Sequence, residues 1–270
     1  MPDDVASYFQ QFSKFVPRDV PRATNEDSPT AYQRCKSVAA RAAAAVMLFI
    51  LSPVIVICAV LVRLTSNGPS FYSQIRLGKG GRTFRIVKLR TMQYRCEAQT
   101  GPVWATASDP RVTKIGRVLR RLHLDELPQL LNIARGDMCF IGPRPERPEI
   151  AEKLLMDVPN FNERLSIQPG LTGLAQVLQE ADTSIDSARR KLRFDMDYRQ
   201  RESLWLDSRI IVGTALIILG VPRNKAAAWL GLGLKPRRQI PAAQSTDTES
   251  IFEAPWERPK TCDSGLLGAV

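Results

Sequence analysis

Histidine is almost absent from this chain: His123 stands alone among 270 residues. A multi-histidine metal site is excluded, and a Ser-His-Asp triad would have to be assembled on this one side chain. By itself His123 reads as a half-exposed residue just ahead of a helix. Cysteine is sparse as well. Cys35, Cys58, Cys96, Cys139 and Cys262 are odd in number, widely scattered and without a CxxC pair, so they offer no metal-ligand spacing and fit a reduced cytoplasmic setting. Acid is missing where base is richest. From Arg76 to Arg95 there is no Asp or Glu, against seven Lys or Arg.

That imbalance belongs to the whole chain, whose formal net charge is +11. The partner is therefore anionic: nucleic acid, an acidic membrane surface or a phosphorylated small molecule. The length suits one catalytic domain with appendages rather than two full domains. No internal repeat is evident.

Residues 1–37 are expected to be a mobile N-terminal segment, since the first 33 or so are polar, hold Pro2, Pro17, Pro21 and Pro29, and lack apolar periodicity. A membrane helix is expected over 38–64. Its centre, Ala42 to Val62, runs without a charge, and would measure about 32 Å as a helix, against a bilayer core of roughly 30 Å. Polar and charged residues precede it and no small-residue cleavage site is evident, so it is not read as a cleaved signal peptide. Ser52-Pro53 falls at its middle. The proline removes a backbone donor and pushes against the carbonyl of Phe49, and the Ser52 hydroxyl can bond back to a freed carbonyl, which predicts a kink. Arg34, Lys36 and Arg41 precede the segment, while Arg63 and the 76–95 cluster follow it. Both ends are thus cytoplasmic by the positive-inside rule, and the helix either enters and leaves one leaflet or is an ordinary kinked span.

Residues 65–220 read as the globular, catalytic part. Phe84 to Arg90 alternates as a strand after the Gly78-Lys79-Gly80-Gly81 turn. A helix is expected over 125–135, with Asp125 and Glu126 in its first turn, Pro128 tolerated there, and Gly136 ending it. Further helices are expected over 184–198 and over 204–219, the latter apolar and either buried or lying on a membrane. Residues 221–270 form a basic, proline-rich C-terminal tail. Within it Trp229, Leu230, Leu232 and Leu234 either touch a membrane surface or belong to a solvated segment.

Asp125-Glu126 is the most informative pair. At a helix start two acids can be merely stabilising, yet an ionised Asp there is also a competent nucleophile toward phosphorus if a metal ion and arginines neutralise the crowded anions. Glu126 would be a hard oxygen ligand suited to Mg²⁺. In Gly142-Pro143-Arg144-Pro145 the two prolines lower the entropy lost on ordering, so Arg144 is presented either as a two-pronged phosphate ligand or in a surface salt bridge with Glu146 or Glu149. Pro169-Gly170-Leu171-Thr172-Gly173 is a glycine-bearing turn that could aim amides at an anion or be a plain loop. The basic run holding Lys88 and Arg90 lacks an aromatic stacking series and the chain carries no nucleic-acid motif, so nucleic acid is not expected as a partner.

These motifs occur in one order: Phe84-Arg85-Ile86-Val87-Lys88-Leu89-Arg90-Thr91-Met92, Leu124-Asp125-Glu126-Leu127-Pro128-Gln129-Leu130-Leu131-Asn132, Gly136-Asp137-Met138, Gly142-Pro143-Arg144-Pro145-Glu146, and Pro169 to Gly173. Together, from about Val38 to Gly220, they resemble the bacterial sugar transferase family, the monotopic polyprenyl-phosphate phosphoglycosyl transferases. The resemblance implies a helix-rich α+β fold with a re-entrant membrane helix kinked at Ser52 and Pro53, set in the bacterial inner membrane with the catalytic domain in the cytoplasm. It implies transfer of a sugar phosphate from a UDP-sugar to undecaprenyl phosphate with release of UMP, Asp125 as nucleophile and Glu126 as Mg²⁺ ligand. Lys88, Arg90, Arg120 and Arg144 fall at basic positions that would meet substrate phosphates, and Gln176 follows the last turn. The product would feed downstream glycosyltransferases that build an exopolysaccharide or other surface glycan. With only about forty residues ahead of the membrane segment, the minimal form of the family is expected. Many members have tryptophan just after the Pro-Gly-Leu-Thr-Gly turn, where this chain reads Leu174-Ala175, and many have serine where it has Cys139. The alternatives from other classes are a membrane adaptor with a basic face, which has no use for acids embedded in that face, and a transferase that moves the sugar without its phosphate and so releases UDP.

Overall fold

The computed structural model describes residues 29–94, 96, 109–158, 160–180 and 184–233. A single helix of 35 residues, α1 (Ala31–Thr65), opens the described chain. It begins earlier than the charge pattern suggested, because Thr30 caps it: the Thr30 hydroxyl accepts from the Gln33 amide, and the Gln33 side chain accepts from Thr30 N, both at 3.2 Å. Residues 31–37 are thus helix rather than mobile segment; residues 1–28 of that expected segment lie outside the described residues. Helix α1 is long and apolar enough to cross a membrane by length and composition. It runs on through Pro53, and the Ser52 hydroxyl donates to the Phe49 carbonyl at 2.8 Å, which occupies the acceptor that the proline strands.

Along one side α1 is pinned to the rest of the molecule. Ala40 and Ala44 pack with Leu130, Ile133 and Met138, Leu48 and Leu51 touch the same cluster, and Cys58, Ala59 and Val62 pack with Leu89 and Leu119. The spacing is that of one helical face. Its other side is bare apolar surface, with Phe49 82% exposed and Ile50 63% exposed. Near the helix start Lys36 forms ion pairs with Glu202 at 2.7 Å and Asp207 at 2.9 Å, and Tyr32 donates to Asp207 at 2.7 Å.

A hairpin follows. Strands β1 (Phe71–Leu77) and β2 (Thr83–Leu89) pair antiparallel from Phe71 opposite Leu89 to Leu77 opposite Thr83. Gly80 and Gly81 turn the chain with φ of 66° and 74°. The outer edge of β2 is covered by a side chain instead of a third strand. Asn132 accepts from Val87 N at 3.1 Å and donates to Arg85 O at 2.6 Å, so the buried amide replaces two ladder bonds.

Helix α2 (Lys114–Arg121) lies against the exit of β2, where a Cβ on Gly116 would stand 2.0 Å from the Thr91 carbonyl oxygen. The expected helix over 125–135 divides in two, a 3₁₀ segment, Leu124–Gln129, and then α3 (Leu130–Arg135), closed by Gly136 at φ 88°. Pro128 has no amide to donate, so the first stretch keeps the tighter winding. Short strands β3 (Cys139–Ile141) and β4 (Gly170–Thr172) then pair in parallel. Between them run α4 (Pro148–Asp157) and a 3₁₀ turn, Phe161–Ser166.

The last layer is helical: α5 (Leu174–Leu178), α6 (Ile185–Arg201), α7 (Leu204–Ile218) and α8 (Arg223–Trp229). Ser184 and Ser203 cap α6 and α7. Leu206, Ile210 and Gly213 turn α7 inward, while Leu204, Trp205, Ile211 and Val212 leave an apolar outer face. Residues 221–233 are no solvated tail: Ala226 and Leu232 are buried, and Arg223 donates to Gln176 O and Arg209 to Leu230 O. Leu234 and the rest of the expected tail lie outside the described residues. The result is the helix-rich α+β architecture that the resemblance implied.

Candidate active site

His123 adopts the left-handed conformation, φ 54°, and so turns the chain sharply out of α2 into the 3₁₀ segment. Asp125 and Glu126 follow, directly beside β2. Glu126 is clamped from two sides. Its Oε1 accepts from Lys88 Nζ of β2 and from Arg144 Nη2, each at 2.7 Å, while Oε2 keeps only a 3.5 Å contact with Arg144 Nη1. Burial alone would raise its carboxyl, but Arg144 and Lys88 outweigh it and hold Glu126 well below the ordinary range. Arg144 is pushed up in return, chiefly by Glu126, and Lys88 is drawn down by burial against the pull of Glu126.

Asp125 is 7% exposed and makes no hydrogen bond or ion pair among the described residues. Burial first and the Glu126 charge second push its carboxyl up, with Lys88, Arg120 and Arg144 partly offsetting them. Arg120 of α2 is fixed by its Nε, which donates to the Thr91 hydroxyl at 2.9 Å. The two neighbouring acids therefore occupy opposite states: one paired with two cations, one largely buried and without a side-chain partner at the cavity wall.

Arg144 reaches Glu126 from a backbone held at every step. Pro143 O accepts from Gly170 N at 2.9 Å, Arg144 O from Arg164 at 2.9 Å, Pro145 O from Arg76 at 3.1 Å and Glu146 O from Leu77 N at 2.9 Å. Four consecutive carbonyls are thus fixed by β4, by the Phe161–Ser166 turn and by β1. The surface salt bridge considered for Arg144 does not form; Glu146 pairs instead with Lys191 and, at 3.5 Å, with Arg164. Arg164 also pairs with the buried Asp195 at 2.9 Å.

Glycines of Pro169-Gly170-Leu171-Thr172-Gly173 serve this packing and not an anion. A Cβ on Gly170 would lie 2.1 Å from Gly142 N, and one on Gly173 would lie 2.2 Å from Gly142 O. The amide of Gly170 is spent on Pro143 O and that of Gly142 on Thr172 O.

Around the two acids opens a cavity of about 660 Å³, lined among the described residues by seven basic side chains against three acids. Of the residues singled out in the sequence, Lys88, Arg120, Asp125, Glu126 and Arg144 converge here, and His123 lines the wall. Arg90 lines it too, but its Nη2 donates to the Ser66 carbonyl and hydroxyl, at 2.9 and 2.8 Å, tying β2 to the end of α1. Gln176 is not in the cavity; its amide donates to Leu171 O at 3.1 Å. Arg76, Asn132 and Arg164 were not singled out in the sequence, since their contacts arise from strand register and long-range packing rather than from local spacing. Among the described residues no group of three His, Cys, Asp or Glu could hold a metal ion by itself. A hard divalent ion here would have Glu126 Oε2 as its protein ligand, which suits Mg²⁺, an ion usually bound by one or two carboxylates with substrate phosphates and water.

Residues 31–220 match the family model described as bacterial sugar transferase. The chain belongs to the bacterial sugar transferase family. This member is 41% identical over 181 residues to the UDP-glucose:undecaprenyl-phosphate glucose-1-phosphate transferase of Caulobacter vibrioides, covering 66% of the chain and 67% of that protein. It is 41% identical over 177 residues to the UDP-N-acetylgalactosamine-undecaprenyl-phosphate N-acetylgalactosaminephosphotransferase of Aeromonas hydrophila, covering 66% of the chain and only 42% of that protein. An exopolysaccharide production protein of Rhizobium leguminosarum is 36% identical over 174 residues, covering 63% of the chain and 87% of that protein. All the cavity residues named above fall inside the matched span.

Proposed function

We propose that the chain transfers a sugar phosphate from a UDP-sugar to undecaprenyl phosphate, releasing UMP, by way of a covalent aspartyl-phosphosugar, and so starts lipid-linked exopolysaccharide or surface-glycan assembly. One observation carries this reading: a buried carboxylate without a hydrogen-bond partner, Asp125, stands beside a carboxylate saturated by Lys88 and Arg144 in a strongly basic cavity. Desolvation makes an ionised carboxylate a better nucleophile, and the surrounding cations offset the charge of an approaching diphosphate. A carboxylate oxygen of Asp125 attacks the phosphorus attached to the sugar; the bond from that phosphorus to the bridging oxygen breaks, and its electron pair leaves with UMP. An oxygen of undecaprenyl phosphate then attacks the same phosphorus and restores the Asp125 carboxylate. Mg²⁺, held by Glu126 and beside Asp125, would supply further charge neutralisation at the phosphates.

The test is a UDP-sugar labelled at the sugar-linked phosphate, given to the enzyme without lipid. Label should stay on Asp125 under rapid quenching and be chased off by undecaprenyl phosphate. Release of UDP instead of UMP, or product formation only when both substrates are present with no trapped label, would rule the mechanism out. The names of relatives mention both glucose and N-acetylgalactosamine, so the sugar is to be found with a panel of UDP-sugars.

For the membrane, the same proposal has α1 entering and leaving the cytoplasmic leaflet of the inner membrane, bent at Ser52-Pro53. Supporting it, the buried positions Ala44 and Ile55 both face one body, and eleven residues of helix cover only about 16 Å, too little for a bilayer core of roughly 30 Å to pass between them. Pro29→Cys and Asn67→Cys, placed singly at exposed positions in a cysteine-free background, should both be shielded from a membrane-impermeant thiol reagent in intact cells. Labelling of either one would defeat the same-side arrangement.

A further inference from the structure

One cation in the cavity has no place in the chemistry above. Arg76, on β1, donates from Nη1 to Pro145 O at 3.1 Å and from Nη2 to the Gln74 side chain at 2.7 Å, while its Nε is buried without a partner. Both partners are neutral, and among the described residues no carboxylate forms an ion pair with it. Glu146, whose charge reaches Arg76, is already shared by Lys191 and Arg164. Burial, with two further arginines, Arg144 and Arg147, crowding it, draws the guanidinium down to about 10. A desolvated cation left without a counterion gains more from an incoming phosphate than one already paired.

Its attachment tells which phosphate. Arg76 grips the carbonyl of Pro145, the residue after Arg144, so it extends the cationic wall one step beyond the group that holds Glu126. The UDP-sugar of the proposed reaction carries two phosphates, and only one of them can sit at Asp125.

We propose that Arg76 anchors a second phosphate subsite, filled first by the phosphate of the departing UMP and then by the phosphate of the lipid acceptor. This rests on the covalent reading given above. Displacement at phosphorus sets the attacking and leaving oxygens roughly in line. In the first step Asp125 forms its bond as the bridging oxygen departs on the opposite side with the UMP phosphate. In the second Asp125 is the leaving group, so the lipid phosphate must form its bond from the side that UMP vacated. Both occupants are phosphate monoesters, alike in charge and shape, and one guanidinium serves both.

The experiment uses the full chain in lipid nanodiscs and compares wild type with Arg76→Gln, Arg76→Lys and Gln74→Ala. Arg76→Gln keeps a donor for Pro145 O but removes the charge, and should raise the UMP inhibition constant and the KM for undecaprenyl phosphate together, each about tenfold, as for loss of a charged hydrogen bond. Arg76→Lys should restore most of both. If a folded Arg76→Gln enzyme keeps both constants within about twofold of wild type, or if only one moves, the shared subsite is wrong. Should Arg76→Gln melt at low temperature, Gln74→Ala decides: it keeps the charge but removes the amide that orients Nη2, and should raise both constants about threefold; unchanged constants overturn the proposal. Absence of labelled adduct in wild-type enzyme is a separate result, which strikes the covalent reading itself.

Discussion

Asp125→Asn should cut turnover on the order of 10⁴-fold or more and still give a folded protein with the same or a higher melting temperature. The first effect follows from removing the nucleophilic charge at constant shape. The second follows from the surroundings: Asp125 is buried, makes no hydrogen bond, and sits next to the Glu126 charge, so the folded state disfavours its ionised form. A carboxyl whose folded value lies above its unfolded value, about 3.9 for Asp, lowers stability wherever it is ionised. The cost is present above the folded value and fades as pH falls through it toward the unfolded one. The stability gap between Asp125→Asn and wild type should therefore be open at neutral pH and close in acid. Activity moves the other way. Attack needs the ionised form, so kcat/KM of the wild type should fall as pH drops through a value above the usual Asp range, before Glu126 takes up a proton. Chemical denaturation across pH with parallel rate measurements reads both; an Asp125→Asn protein that keeps a tenth of wild-type turnover would remove Asp125 from the role of nucleophile.

Glu126→Gln should be the second most damaging change, and here function and stability fall together. The single Oε1 atom accepts from both Lys88 and Arg144, so a neutral amide leaves a mostly buried Lys88 and a part-exposed Arg144 facing each other. Breaking a buried pair by removing one partner costs about 3–5 kcal/mol; the Lys88 pairing is of that kind, while the pairing with the part-exposed Arg144 is screened by solvent and adds less. Turnover should drop about 10²- to 10³-fold, the scale seen when one preorganised electrostatic group is lost. The same variant tests the metal. Wild-type activity should vanish with a chelator and return with Mg²⁺, and Glu126→Gln should need a higher Mg²⁺ concentration for its residual rate. Full wild-type activity in excess chelator would remove the metal from the scheme.

Local pattern made some of this legible and not the rest. The strand expected over 84–90 is found at Thr83–Leu89, and the helices expected from 184 and 204 begin one residue after Ser184 and at Leu204. In each case a period and a cap lie within the same few residues. The 125–135 stretch reads helical by its apolar face, but His123 in the left-handed region and Pro128 without a donor wind its first half as 3₁₀. Residues 221–233 are basic and proline-bearing, and nothing near them announces that Ala226 and Leu232 have a core to enter; the partner surface comes from α5 and α7. The site divides in the same way. Asp125, Glu126, Lys88, Arg120 and Arg144 sit in motifs whose chemistry is written in neighbouring residues. Asn132 reads as one more polar helix residue until β2 is beside it, and Arg164 as a surface arginine until Asp195 arrives from thirty-one positions away. Glycines at 170 and 173 give one signal for two different purposes, amide presentation or backbone contact, and only the distance to Gly142 separates them.

Helix α1, long and apolar enough to cross a membrane, invites removal when a water-soluble enzyme is wanted. Here the inner side of that helix completes two apolar clusters, supplying Ala40 and Ala44 beside Leu130 and Ile133, and Cys58, Ala59 and Val62 beside Leu89 and Leu119. Leu89 ends the strand that carries Lys88, and Leu130 begins the helix that follows Asp125 and Glu126. A fragment starting at Ser66 would uncover both clusters and loosen the two elements that position Lys88, Asp125 and Glu126. Solubility engineering has a different target, the outward residues Phe49, Ile50 and Ile57, where polar substitution leaves the inner side intact and so separates lipid attachment from the integrity of the fold.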